Sequence, residues 1–143
     1  MNTYLEQFWK WSNRTFDEYA RIGMNQNKGE YEDQFPLFDE MIAYARTVVD
    51  NVVTDDSDLD DLLTIMALDN EAETVLDYVE GNSTADQFDK IIALALTHAQ
   101  PHARWQIAEL LYRRKPKNYM ELLYVLSQDE HPSVRQRAQN YIH

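Results

Sequence analysis

Cysteine is absent from this chain of 143 residues. No disulfide can staple it and no thiol can serve as nucleophile or metal ligand, which suits a reducing cytoplasm. Glycine and proline are scarce, at 3 and 4 residues, too few for a chain of many tight turns and strands. No apolar run approaches the roughly 20 residues that span a bilayer. The opening MNTYLEQFWKW has no basic start before an apolar run and predicts no signal peptide. Lysine and arginine are also missing from one long stretch, between Arg46 and Lys90.

That last absence organises the charge. Residues 47–89 hold 13 acids and no base, whereas the other 12 acids face all 13 bases of the chain. The whole net charge of −12 therefore arises in the middle. Nucleic acids and anionic membranes call for the opposite sign. A basic protein partner fits, because complementary fields speed encounter and reject wrong partners. The densest part is TDDSDLDDLL, residues 54–63, with Asp55, Asp56, Asp58, Asp60 and Asp61.

What is present favours helices. Hydrophobic residues make up 44% of the chain, enough for a core, and Ala, Leu, Glu and Gln recur in long stretches. Apolar positions at three- and four-residue steps predict a helix over 3–23. A second, opened by Pro36, buries Phe38, Met41, Ile42, Ala45, Val48, Val49 and Val52. Ser57 or Asp58 caps a third, with Leu59, Leu62, Leu63 and Met66 inward. Asn70 and Glu73 are spaced as a capping pair for a fourth, stopped by Gly81. Ser83 or Thr84 caps a fifth, Pro101 starts a sixth, Asn118 and Glu121 cap a seventh, and Pro132 starts the last. The reading is all-α, about eight helices in four antiparallel pairs, with no convincing strand.

An internal repeat runs through the second half. PHARWQIAELL from 101 aligns with PSVRQRAQNYI from 132 at an offset of 31, pairing Pro101 with Pro132 and Arg104 with Arg135. Another step back reaches NEAETVLDYVE from 70, where Ala72, Leu76 and Val79 keep the apolar positions and Glu73 replaces the arginine. DEHPSVRQRAQNYI and AQPHARWQIAELL each resemble the second helix of a HEAT repeat. The resemblance spans 58–143, is degenerate in its first unit, and reduces residues 1–53 to an N-terminal helix pair. It implies one domain over 1–143, a short right-handed α-solenoid whose pairs stack to bury their apolar faces. It also implies that Arg104 and Arg135 pair with acids in adjacent turns.

The Asp cluster fails as a calcium loop. Counted from Asp56, the sixth position should be Gly and is Asp61, and the twelfth should be Glu and is Ala67. As catalytic carboxylates these residues would need a pocket that drives their pKa values apart, which a solvated helix start does not supply. Acids in a first turn complement the helix dipole, which accounts for Asp58, Asp60 and Asp61. It does not account for Glu73, Asp77 and Glu80, which fall at i, i+4 and i+7 on one helical stripe with no nearby base. Self-repulsion there predicts that lysine at these three positions stabilises the free chain or leaves it unchanged. His98 and His102 flank Pro101 and cannot share a helical face, so they are read as turn residues and not as metal ligands. Phe8 and Trp9 are read as core, with Trp11 half exposed. Arg113, Arg114, Lys115 and Lys117 are read as cations closing a helix. No nucleophile elbow, phosphate loop or zinc signature occurs.

A small, acidic, cysteine-free helical repeat resembles the immunity proteins that protect bacteria from their own toxins. That resemblance implies tight stoichiometric binding over the active site of a basic, nuclease-type toxin. The residues expected to carry it are Asp55, Asp56, Asp58, Asp60, Asp61, Glu73, Asp77 and Glu80, with Tyr78 as an aromatic anchor. No cofactor is expected, and the free protein is expected to be monomeric and cytoplasmic. The alternative is a HEAT-like adaptor or scaffold for a housekeeping protein. An enzyme such as a HEAT-like lyase or glycosylase ranks last, since a glycosylase needs a positive groove for phosphates.

Overall fold

The computed structural model describes residues 2–51 and 54–142. Among these are nine α-helices and no strand: α1 (Thr3–Ser12), α2 (Phe16–Ile22), α3 (Phe38–Asp50), α4 (Asp56–Leu68), α5 (Thr74–Asn82), α6 (Ala85–Ala95), α7 (Pro101–Arg114), α8 (Tyr119–Leu126) and α9 (Pro132–Gln139). Two short 3-10 turns, Gln26–Lys28 and Glu32–Gln34, precede α3. The all-α reading holds.

The N-terminal part departs from the expected pair, because the helix predicted over 3–23 is two helices. Asn13 adopts a left-handed conformation (φ 55°) and ends α1, and Thr15 with Glu18 forms a complete capping box that starts α2. The T-x-x-E spacing was present in the sequence, but the continuous apolar periodicity masked it. The buried face of α3 is as expected at Met41, Ile42, Ala45, Val48 and Val49; Val52 lies outside the described residues. Tyr19 is 1% exposed and donates its hydroxyl to Glu32 at 2.5 Å, and Asn70 donates to the same carboxylate at 2.8 Å. These bonds pin the N-terminal elements to the start of the α4–α5 turn.

Caps differ from expectation where a tertiary or upstream group outcompetes the local one. Asp55, one position before the helix, caps α4 by accepting from the Asp58 amide at 2.8 Å. Asp69 accepts from the Val75 amide and the Thr74 hydroxyl ahead of α5. Glu73 makes no capping bond and sits left-handed (φ 55°), while Asn70 turns inward. Asn118 stands at the N-cap of α8 without a side-chain bond. Thr84 caps α6, and Pro101 and Pro132 occupy the first turns of α7 and α9, as expected.

α5 packs between α3 and α7, and α7 in turn meets α9. α4 packs against α3, α6 and α7, and α8 against α7 and α9. Every residue of α4 and its end from Asp61 through Asp69 is buried. This helix is therefore enclosed, unlike a surface helix with one apolar stripe. One continuous core runs from Leu5 and Phe8 to Val134 and Ala138. No helix among the described residues is long and apolar enough to cross a membrane.

The 31-residue offset reappears in the turn bonding. Arg104 donates to the His98 carbonyl at 2.6 Å, and Arg135 donates to the Asp129 carbonyl at 2.8 Å, each six residues back. Arg104 also grips the Asp129 carboxylate of the following turn, Nε to Oδ2 at 2.8 Å and Nη2 to Oδ1 at 3.1 Å. The expected pairing of Arg104 with an acid in the adjacent turn is observed. Arg135 instead ends on the carbonyls of Asp129 and Glu130.

Candidate protein-binding surface

The acids of residues 47–89 divide into a matched set and an unmatched set. The matched set begins with Glu73, Asp77 and Glu80, whose supposed lack of counter-charges is corrected by the fold. Arg137 from α9 bonds Glu73 at 2.7 and 3.0 Å. Arg113 from α7 bonds Asp77 at 2.8 Å and Glu80 at 2.9 Å. Glu109 joins the same network, accepting from Arg113, from Arg137 at 2.6 Å and from the Tyr141 hydroxyl at 3.0 Å. Burial raises the Glu109 pKa, but the bonds from Arg137 and Tyr141 and the two guanidinium charges outweigh it and hold the group below its ordinary value. The bases that sequence spacing assigned to a helix end thus serve as cross-links. Arg114 likewise donates to the Glu80 and Ser83 carbonyls and lies 4.3 Å from the centre of the Phe88 ring.

Asp60 and Asp61 are also committed. Asp60 meets His98 Nε2 at 3.2 Å, and His98 Nδ1 accepts from the Gln100 amide at 3.1 Å. With the amide proton aimed at Nδ1, the ring is the neutral Nε2–H tautomer, and burial pushes its pKa down. Both nitrogens are occupied, which leaves His98 no lone pair for general-base work. Asp61 is only 8% exposed, because α4 is enclosed at that point, and burial raises its pKa. Its carboxylate is largely withdrawn from the surface. Tyr78, the expected anchor, is half-buried, donates to Asp50 at 2.6 Å and carries Arg46 5.7 Å from its ring centre. Its hydroxyl is therefore already engaged.

The unmatched set is Asp50, Asp55, Asp56, Asp58, Glu71, Asp86 and Asp89, none within 4.0 Å of a Lys, Arg or His nitrogen among the described residues. Six of these lie on segments that meet at one edge: the end of α3, the start of α4 and the first half of α6. Gln87, 6% exposed, donates from the start of α6 to the Val48 and Asn51 carbonyls, both at 3.3 Å. This tie brings Asp86 and Asp89 to the end of α3, where Asp50 lies, and so to the link that enters α4 at Asp55, Asp56 and Asp58. Asp86 and Asp89 belonged to the base-free stretch, but their nearness to the Asp cluster depends on Gln87 and could not be read from spacing. Among the described residues no three His, Asp or Glu side chains converge as metal ligands would.

Six buried side-chain atoms elsewhere have no hydrogen-bond partner among the described residues: Trp9 Nε1, Arg14 Nε, Gln100 Oε1, His102 Nδ1, Trp105 Nε1 and Gln106 Oε1. His102 packs at a tilt against Trp105, 4.4 Å between ring centres, and against Tyr19 at 5.7 Å, and burial lowers its pKa too. Neither histidine reaches the other's partners, so the pair does not form a joint site. Phe8 is fully buried as expected, and Trp9 and Trp11 are both half-buried.

No protein-family model, no curated protein and no solved structure matches this chain.

Proposed function

We propose that this chain is an acidic protein-binding module that neutralises a basic, nuclease-type bacterial toxin by tight stoichiometric binding over its active site. In this reading the helix pairs form a short right-handed α-solenoid of the HEAT type, a framework suited to presenting an extended binding surface. The turn bonds repeated at 31 residues support that framework.

One observation carries the proposal. The fold matches Glu73, Asp77 and Glu80 with arginines from α7 and α9, yet leaves Asp50, Asp55, Asp56, Asp58, Asp86 and Asp89, on the segments that meet at the α3–α4–α6 edge, with no cationic nitrogen within 4.0 Å among the described residues. Only part of that edge has a local explanation, in the cap by Asp55 and the first-turn positions of Asp56, Asp58 and Asp86. A surface that repels itself when free and gains on meeting a positive field is suited to a basic partner. A nuclease must be positive where it holds phosphates, so covering that site excludes the nucleic acid. The docking set is accordingly narrower than the sequence suggested: Asp55, Asp56 and Asp58 remain, Asp86 and Asp89 join, and Asp61 leaves.

Affinity capture from the native cell identifies the partner, and stopped-flow association with the purified pair tests the mechanism. The expected partner is a basic protein bound 1:1, with its nuclease activity blocked. The triple variant D56K/D86K/D89K should slow association by about tenfold or more at low salt. A neutral or acidic partner, or association indifferent to salt and to the triple variant, overturns the reading.

A further inference from the structure

We propose that the groove between α6 and α8 seats an apolar side chain of the basic partner, which lays a helix across α8, α6 and α4 with its lysines or arginines over the acidic edge. This rests on the function proposed above and names how the partner is held.

The groove exists because α8 packs on α7 and α9 while α6 packs on α4 and α7. The two outer helices do not close on each other, which leaves a space of about 260 Å³. Ile92, 5% exposed, forms its floor, and Ala93, Leu96 and Leu122 are its apolar walls. One turn further along α8, beyond the groove's lining, Val125 is 57% exposed, and Tyr124 beside it is 58% exposed. Large apolar side chains left this open in a chain so strongly charged call for an occupant.

Charge selects the occupant. Asp89 lines the groove on the α6 side, Asp86 lies one turn nearer the start of the same helix, and α4, which carries its own acids, packs against α6. On the α8 side the groove is bounded by Pro116, flanked by Lys115 and Lys117. Acids therefore outnumber bases from α6 towards α4, where Lys90 on α6 and Arg114, which lies over Phe88, are cations on or against that helix. A partner with an apolar anchor in the groove and cations towards α4 matches this charge distribution, and the reverse orientation does not. Neighbouring helices pack about 8–10 Å apart, and helical residues seven apart are separated by about 10 Å. A partner helix with a leucine or methionine seven positions from a lysine or arginine thus spans the groove and the edge. A second copy of this chain would bring its own charge of −12 onto the edge, and an anionic membrane is repelled for the same reason. An apolar centre with a charged rim is the common anatomy of a protein interface.

Three synthetic peptides and a nuclear magnetic resonance titration test this. They are an amphipathic leucine–lysine helix, its leucine–glutamate counterpart, and a lysine peptide with alanine in place of leucine. The leucine–lysine helix should bind tightest, shift the signals of Ala93, Leu122 and Val125, and lose about tenfold in affinity to Ala93→Arg. Ala93 is exposed, so that change blocks the groove without entering the core, and a melting curve checks the fold. Equal binding of the lysine–alanine peptide, with shifts confined to Asp56, Asp86 and Asp89, overturns the groove and leaves the acidic edge standing. Equal binding of the leucine–glutamate peptide overturns the basic partner. If neither lysine peptide binds, both the groove and the edge fail.

Discussion

Arg137 on α9 grips Glu73, 64 positions earlier, through two parallel nitrogen–oxygen contacts of 2.7 and 3.0 Å. The same guanidinium reaches Glu109 on α7, so one side chain joins three segments of the chain. Both partners of the main pair are about four-fifths buried, at 20% and 21% side-chain exposure. A bidentate, partly desolvated pair resists replacement better than a surface contact. Arg137→Ala should lower unfolding free energy by about 2 kcal/mol, and Arg137→Lys should recover only part of it, because an ammonium cannot match the planar fork. A double-mutant cycle with Glu73→Gln, read by urea denaturation, should give a clear coupling energy. Independent, additive losses would mean that the contact is incidental.

The network reverses the expectation for lysine at Glu73, Asp77 and Glu80. Without the fold, those substitutions relieve repulsion. With it, they break pairs to Arg113 and Arg137 and set cation against cation. The triple variant should be destabilised by about 2 kcal/mol, chiefly through Glu73, since the Asp77 side chain is 61% exposed and its pair is screened. D56K/D86K/D89K should fold with near wild-type stability, losing at most the dipole contribution of first-turn acids, about 0.3–1 kcal/mol each. Melting curves of the two variants side by side decide the matter. Equal melting temperatures would show that pairing does not distinguish the two acid sets.

Asp129 joins two turns, and its side chain and that of Arg104 are 10% and 8% exposed. Burial raises the Asp129 pKa, but the bonds from Arg104 and from the His131 amide outweigh it and hold the carboxyl below its ordinary value. The folded state therefore binds this proton less readily than the unfolded chain. The stability it contributes is present above about pH 4 and is lost as pH falls through the depressed folded value. Asp129→Asn should cost about 3 kcal/mol at neutral pH by depriving the buried Arg104 of its close carboxylate. It should also flatten the acid limb of the stability curve. An unchanged acid limb would mean that another carboxylate controls it.

His98 and His102 are both held below the ordinary histidine value, chiefly by burial. Here the unfolded chain takes up protons first, at about pH 6.5. Stability should be complete above that value and fall as pH drops from about 6.5 through the folded values. For His98 the Gln100 amide bond at Nδ1 must break before the ring can charge. His98→Gln and His102→Gln should each lower stability at pH 7.5 and shrink the difference between pH 7.5 and pH 5.5. Urea midpoints at those two values measure it, and a wild-type midpoint that does not fall on acidification would contradict it.

Local order was largely legible in the chain itself. Pro101 and Pro132 announced two helix starts, Thr84 a cap, and the three- and four-residue apolar steps gave the inward faces of α3 and α4. These features follow from fixed proline geometry, unsatisfied end amides and helical period, each set within a few residues. The repeat at 31 residues also carried through to its arginine bonds, because the same local turn binds the same local carbonyl. The break at Asn13 had its signal in Thr15 and Glu18 and was hidden by periodicity on either side. What only the tertiary structure decided is which charges stand alone. Arg113 and Arg137 lie 33 to 64 residues from Glu73, Asp77 and Glu80, and Asp61 is withdrawn because α4 is enclosed from that residue onward. Gln87 gathers the unmatched acids only by reaching back 39 and 36 residues to two carbonyls of α3 and its end. Sequence spacing reports neighbours along one helix, whereas a Coulomb pair depends on distance in space, and that distance exists only once the helices have packed.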